Sequence, residues 1–409
     1  MKNLAFCFAV LLLASCGGGQ KKAAVQTQGE RVIPEFDLSE PSKAAIGEKL
    51  TWNDLAKNIR VIPLETNDAS LLGGLCTIKA VTDSYIVLFS QNLIPMGGNY
   101  MLDFGDPRNN IIIFGKDGKH ELTLQRHGKG GTSSMEYVQI TEAIFIEEPF
   151  TIRVYDRIQN AFLDYDKNGK GILFTAIEGI NPTMIKPVND DFYLDIVFTT
   201  PLTSRNDILT LRRYDNGDSK TLFSVDAPLH EELSSVAGVP MSVIKHEDGM
   251  LLYRNTSDTV YKVTGSGMEE FARIKRGKYG YDEKIYSAAG IDEMSDIMGR
   301  SIGVSRFIPA GEYHFIEYTL QDIIYKEIWK DGKPIFRQTY QRRRNPDDPV
   351  PPTVNLNCTL PNGETFELPV MPGYAYNNKI YFLIEAHKLT DIIPGIKEDD
   401  NQVLIEMEF

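Results

Sequence analysis

The chain is expected to be all-β: a six-bladed β-propeller of four-stranded antiparallel blades, closed by pairing of its N- and C-terminal strands. Three observations point there. A turn with an aromatic residue just before it recurs as Phe114-Gly115-Lys116-Asp117-Gly118, Tyr165-Asp166-Lys167-Asn168-Gly169, Tyr214-Asp215-Asn216-Gly217 and Trp329-Lys330-Asp331-Gly332, with Val263-Thr264-Gly265 as a degenerate copy. The glycines step by 51, 48, 48 and 67 residues, and a unit of about fifty residues is the length of a four-stranded blade. Finally, the 33 Gly and 21 Pro are spread through the body, which suits many short strands with frequent turns.

From the N-terminus, Lys2 and an apolar run from Leu4 to Leu13 precede Leu13-Ala14-Ser15-Cys16 and three glycines. The run is too short to span a bilayer and suits a signal-peptide core. The stretch resembles a bacterial lipoprotein signal, which implies removal of residues 1–15 and lipid on Cys16. Residues 16–35, rich in Gly, Gln, Lys and Ala, read as a flexible tether, and residues 36–409 as the propeller.

Thr51 to Asn58 reads as a helix, with Thr51 as its cap, Asp54 completing a capping box, and Leu50, Leu55 and Ile59 on the packing side. Arg60 to Glu65 follows as a strand. Asp-Gly and Asn-Gly supply the positive φ that tight hairpins demand, so each later turn joins two strands. Apolar runs Tyr85–Phe89, Phe192–Phe198, Met250–Tyr253 and Tyr313–Tyr318 supply further strands. Units then start near residues 77, 142, 183, 242, 301 and 369. The last, with Ile380–Ile384 and Val403–Met407, is one strand short, and Arg60–Glu65 completes it. Such closure removes open sheet edges. Two stretches exceed the repeat: 276–300, with a helix-like piece over 282–298, and 341–365, which reads as an irregular loop.

Loss of residues 1–15 removes Lys2 and leaves 42 Lys and Arg against 56 Asp and Glu, a formal charge of −14. That disfavours nucleic acid and anionic lipid as partners. Cys7 leaves with the signal and Cys16 is acylated, so Cys76 and Cys358 remain. They form a disulfide if the ends of the chain meet, or two buried thiols, the plainer reading.

Asp164-x-Asp166-x-Asn168-Gly169 matches the start of a calcium loop, but Thr175 stands where the bidentate Glu belongs. The alternative is an Asn-Gly hairpin with solvated carboxylates. Arg126-His127-Gly128-Lys129-Gly130, with Glu136 and Tyr137, offers backbone NH groups and cations to an anionic ligand. Its glycines equally serve a turn between blades. Arg342-Arg343-Arg344 offers a hold for a carboxylate or sugar acid, with a solvated basic face beside Asp347 and Asp348 as the plainer reading. The paired acids Glu147-Glu148 and Asp190-Asp191 suit two-carboxylate hydrolysis poorly, because neighbours on a strand point to opposite faces. The six histidines show no metal-ligand spacing, and neither a nucleophile elbow nor a phosphate loop is present. No cofactor is expected.

The lipid-signal motif at Cys16, Ile59-Arg60-Val61-Ile62-Pro63-Leu64-Glu65-Thr66 and the Phe114-x-x-Asp117-Gly118-Lys119 turn together resemble a group of bacterial lipoproteins, six-bladed β-propellers of unknown function. Gln125 to Gly130 is similar to that group's Gly-x-Gly turn. Gly131 to Met135 replaces the usual Pro-Gly before Glu136-Tyr137. Asp399 to Ile405 resembles the closing strand, with Gln402 in place of Pro. The resemblance covers residues 36–409 and carries over no catalytic residue.

Together these readings imply a monomeric, lipid-anchored cell-envelope binding or scaffolding protein that recognises a glycan, peptide or partner protein. Gln20-Lys21-Lys22 lacks an acidic surface-export cluster, which places it on the periplasmic side of the outer membrane. The alternative is an envelope hydrolase or lyase with its site at the central channel. His, Asp, Glu or Arg converging there from three blades favours the enzyme. A channel lined by apolar or scattered polar groups, beside a broad aromatic insertion face, favours the binder.

Overall fold

The computed structural model describes residues 32–96, 99–102, 106, 109–178, 182, 184–196, 207–215, 217–224, 241–254, 257–280, 291–342 and 354–409. The signal segment, Cys16 and most of the tether lie outside them, as do His230, Arg343 and Arg344. Ile33–Phe409 forms one compact unit.

Six sheets each contain four antiparallel strands. Blade 1 is Leu75–Val81, Tyr85–Gln91, Asn110–Gly115 and His120–Leu124; blade 2 is Ile140–Ile146, Thr151–Asp156, Ala161–Tyr165 and Gly171–Ala176. Blade 3 is Met184–Pro187, Phe192–Ile196, Asp207–Arg213 and Ser219–Ser224; blade 4 is Met241–His246, Gly249–Arg254, Thr259–Thr264 and Gly267–Lys275. Blade 5 is Gly303–Ala310, Tyr313–Leu320, Ile323–Lys330 and Lys333–Gln341; blade 6 is Tyr374–Tyr376, Lys379–Ile384, Val403–Glu408 and Asn58–Pro63. The middle strands are apolar on both faces because neighbouring blades cover both: Ile86 to Phe89 and Ile111 to Phe114 are all buried.

The recurring turns join third to fourth strands. Gly118 has φ +86°, and its amide donates to Gly115 O at 2.9 Å. In blade 4 the positive φ falls on Gly267 (+136°), two residues beyond the expected Gly265, because Thr264 and Gly267 close the hairpin as a pair.

Closure follows the predicted strands with shifted bounds. Val403–Glu408 lies between Lys379–Ile384 and Asn58–Pro63, with Asn58 opposite Glu408 and Pro63 opposite Val403. The N-terminal strand thus begins two residues before Arg60 and ends at Pro63. Glu65 N then donates to Gly118 O at 2.8 Å, passing the chain to blade 1.

Other expectations are corrected. The helix is a single turn, Trp52–Leu55, because the chain enters the closing strand at Asn58. Its capping box forms: Thr51 N and Oγ1 each donate to Asp54 Oδ2 at 2.8 Å. Its deepest residue is Trp52, packed on Phe315 and Phe382 at 5.7 and 5.3 Å. The stretch after blade 5 is no plain loop, since Asn355–Thr359 and Thr365–Pro369 pair as a hairpin over that helix. Asn53 Nδ2 donates to Thr359 O at 2.8 Å, and Thr359 N donates back to Asn53 Oδ1 at 2.7 Å. A second hairpin, Leu93–Met96 with Asn99–Leu102, interrupts blade 1. The other insertion holds a helix, Ile291–Arg300. Glu35–Asp37, entered at the expected last residue of the tether, pairs in parallel with Arg273 to Lys275 on the outer edge of blade 4.

Candidate functional site

A ring of sheets turns the first strand of each blade towards the axis, and residues from all six blades line a channel cavity of about 420 Å³. Blades 1 to 4 contribute charge and blades 4 to 6 an apolar wall. Lys79 sits where the register of blade 1 slips between Ile78 and Ala80, a bulge that leaves it without a cross-strand partner and re-aims its side chain. Its ammonium meets Glu142 Oε1 of blade 2, and Lys186 Nζ of blade 3 lies 2.8 Å from Glu142 Oε2. Three blades therefore share one carboxylate. Burial alone would raise the Glu142 pKa; the two ammonium groups outweigh it and hold the carboxyl at about 2.

Lys245 of blade 4 donates from Nζ to Val188 O at 2.7 Å. Burial lowers its pKa, opposed by Asp190 and Asp248. Asp190 also lines the channel, so among the described residues three lysines face two carboxylates there and leave one net positive charge. The chain as a whole carries −13. The far wall holds Ile308, Tyr374, Ala375 and Tyr376. A cavity of this size, mostly apolar with a few converging polar groups, has the make-up of a small-ligand site.

The residues singled out in the sequence lie elsewhere. Arg126, His127, Glu136 and Tyr137 form a clasp between blades 1 and 2 and do not line the channel. Gly128 N donates to Tyr137 O at 2.9 Å and Tyr137 N to Arg126 O at 3.0 Å, with His127 bridged to Tyr137. Arg126 Nε donates to Gly169 O at 2.9 Å, and Glu136 Oε2 accepts from Lys129 N at 3.0 Å. Tyr137 is buried, its hydroxyl within 3.3 Å of Asn109 O and 3.2 Å of Leu124 O.

The calcium-like motif is also divided. Both Asp164 oxygens pair with Arg153 at 2.8 Å, while Asp166 Oδ1 accepts from Asn168 N at 2.8 Å and Lys170 N at 3.0 Å within its own turn. Asn168 is exposed. Among the described residues no group of three His, Cys, Asp or Glu is placed to hold a metal. His314 is a packing histidine between Phe36 and Phe307, at 4.7 and 5.6 Å, and burial followed by the His246 charge lowers its pKa to about 4. Cys76 and Cys358 are unpaired thiols, raised by burial to about 11 and 12.

Over residues 36–408 the sequence matches the family described as Domain of unknown function (DUF4934). The chain belongs to the DUF4934 family. Two solved structures are similar to this DUF4934 chain, the first of them at the level of fold. One, from Bacteroides fragilis and described as an exported protein, has a TM-score of 0.58 at 11% identity and covers 92% of this chain and 99% of its own. The other, a member of the DUF4221 family from Bacteroides vulgatus, has a TM-score of 0.45 at 11% identity, covering 87% and 97%. No curated protein matches the sequence. No described helix is long and apolar enough to cross a membrane.

Lys79, Glu142, Lys186 and Lys245 escaped the sequence reading. A signal for three of them exists in this DUF4934 chain: Ile78-Lys79, Ile185-Lys186 and Ile244-Lys245 recur in the first strands of blades 1, 3 and 4.

Proposed function

We propose that this protein is a lipid-anchored module of the bacterial cell envelope that binds its ligand in the propeller channel and does not turn it over. One observation carries the choice between binding and catalysis. Among the described residues lining the channel, the His, Asp, Glu and Arg groups are Glu142 and Asp190, from two blades and not three. Glu142 has both oxygens tied to lysines, and a carboxyl held at about 2 is far from the near-neutral value that suits a general base. A pinned carboxylate beside an apolar wall positions and holds. The lipid-signal motif at Cys16 supports a lipid anchor, Gln20-Lys21-Lys22 supports the periplasmic side of the outer membrane, and the fold shared with a protein described as exported is in keeping with an envelope location.

The test combines a pull-down from native envelope membranes with glycan and peptide arrays, run on the full chain and on Gly373→Trp. Gly373 lines the channel, and a Cβ there meets Tyr381 O at an ordinary 3.4 Å, so the backbone accepts a side chain at this position and a bulky one is expected to narrow the site. A ligand held by the parent and lost by Gly373→Trp is the expected result. Product formation from a captured glycan or peptide would hand the channel to an enzyme. Cys16→Ala should lack acyl chains by mass spectrometry; normal acylation of that variant would refute the assignment of the lipid to Cys16.

A further inference from the structure

Resting on that binding reading, we infer that the channel ligand is a small amphiphilic monoanion, a carboxylic acid with an apolar or aromatic body, its carboxylate on the lysine wall and its body against Tyr374, Tyr376 and Ile308. An ammonium has three donors. Glu142 takes one from Lys79 and one from Lys186, whose side chains keep 15% and 30% of their exposure, so donors remain turned to the cavity. Glu142 cancels one of these two charges, and Asp190 stands against Lys245. The single surplus positive charge is neutralised by one carboxylate. A phosphate monoester, at about −1.5 to −2 near neutral pH, overshoots it.

The surrounding acidic chain sharpens the selection. A net charge of −13 disfavours anions everywhere except where local cations exceed local acids, and the channel is such a place. A neutral sugar leaves the surplus charge unmatched. A cation meets three lysines.

The experiment is isothermal titration of the full chain with indole-3-acetate, 4-phenylbutyrate and decanoate, each beside its primary amide, and with inorganic phosphate. Lys245→Met keeps the bulk of the side chain and removes its charge. Loss of Lys79 or Lys186 alone would leave one Glu142 oxygen unpaired, so the second probe is the double variant Lys186→Met/Glu142→Gln, which removes one charge of each sign and should keep the preference for acid over amide; loss of that preference would overturn the charge argument. At least one acid should bind, roughly tenfold or more tighter than its amide, as a charge-assisted hydrogen bond implies. Lys245→Met should weaken the acid by a similar factor and leave the amide unchanged, Gly373→Trp should abolish both, and phosphate should give no heat. Amides binding as well as acids, or acid affinity indifferent to Lys245→Met, would overturn the ligand class. So would a silent acid panel beside a glycan or peptide lost in Gly373→Trp, and the channel reading would then stand. Silence of both panels would sink the two together.

Discussion

Lys116 Nζ lies 2.6 Å from Glu406 Oε2 across the seam of the ring. Lys116 belongs to the third turn of blade 1, and Glu406 is buried in the strand Val403–Glu408 of blade 6. Arg60 and Lys379 reach the other oxygen at 3.2 and 3.3 Å. One carboxylate from the end of the sequence thus ties down cations from both strands beside it and from the next blade.

Removing that carboxylate leaves three cations facing one another at the seam. Glu406→Ala is expected to cost about 3–5 kcal/mol, the usual penalty for breaking a buried pair. Lys116→Met should cost much less, because Arg60 and Lys379 still neutralise Glu406. Chemical denaturation of the two variants checks the order; equal losses would contradict it.

Stability should fall in acid through Glu142. Its folded pKa is about 2 against an ordinary 4.5, so the unfolded chain binds the proton first as pH drops. The contribution is whole above about pH 4.5 and disappears as pH falls through 2, on the order of 3 kcal/mol in all. Glu406, raised by burial but lowered overall by Lys116 and Lys379, adds in the same direction. Glu142→Gln should show a smaller loss of melting temperature between pH 6 and pH 3 than the parent, read by calorimetry.

Two turn glycines separate strain from collision. Gly118 and Gly217 have φ of +86° and +70°, but a Cβ on Gly118 falls 2.1 Å from Pro63 O, whereas one on Gly217 meets nothing within 4 Å. Gly217→Ala should cost about 1 kcal/mol of backbone strain. Gly118→Ala should cost clearly more, since Pro63 belongs to the closing strand and must move. Thermal melts of both would show it.

Trp52→Ala should cost about 3–5 kcal/mol despite its place in a four-residue helix. The indole is fully buried between blades 5 and 6, and its Nε1 donates to Leu368 O at 3.4 Å. Trp52→Phe should recover most of the loss in urea denaturation, since the aromatic packing matters more than the long hydrogen bond.

The blades were legible because their turns are chemically specific. Asp117-Gly118 and Asn168-Gly169 announce hairpins, and the unit starts near 77, 142, 183, 242, 301 and 369 stand close to Leu75, Ile140, Met184, Met241, Gly303 and Tyr374. Closure was legible because blade 6 lacked a strand. The channel was not. A single lysine between apolar neighbours, as in Ile78-Lys79-Ala80, has the same pattern on a solvated edge as on an axis, and only ring geometry tells them apart. Trp52 was missed because a one-turn helix has no periodicity to display. Conversely, Arg126 to Gly130 looked like a ligand nest because a chain turning between blades needs the same glycines and exposed amides.

Blade 6 also sets a clock. Arg60 of its outermost strand and Glu406 of the strand that receives it are 346 positions apart. At about 5–20 residues per second of synthesis, roughly 20–70 s separate the two. Throughout that interval Asn58–Pro63 has been made and has nothing to pair with, while the five other blades are made one after another. The protein therefore spends its youth as an open arc with one bare edge, and anything that must act on an unfinished chain has that window in which to find it.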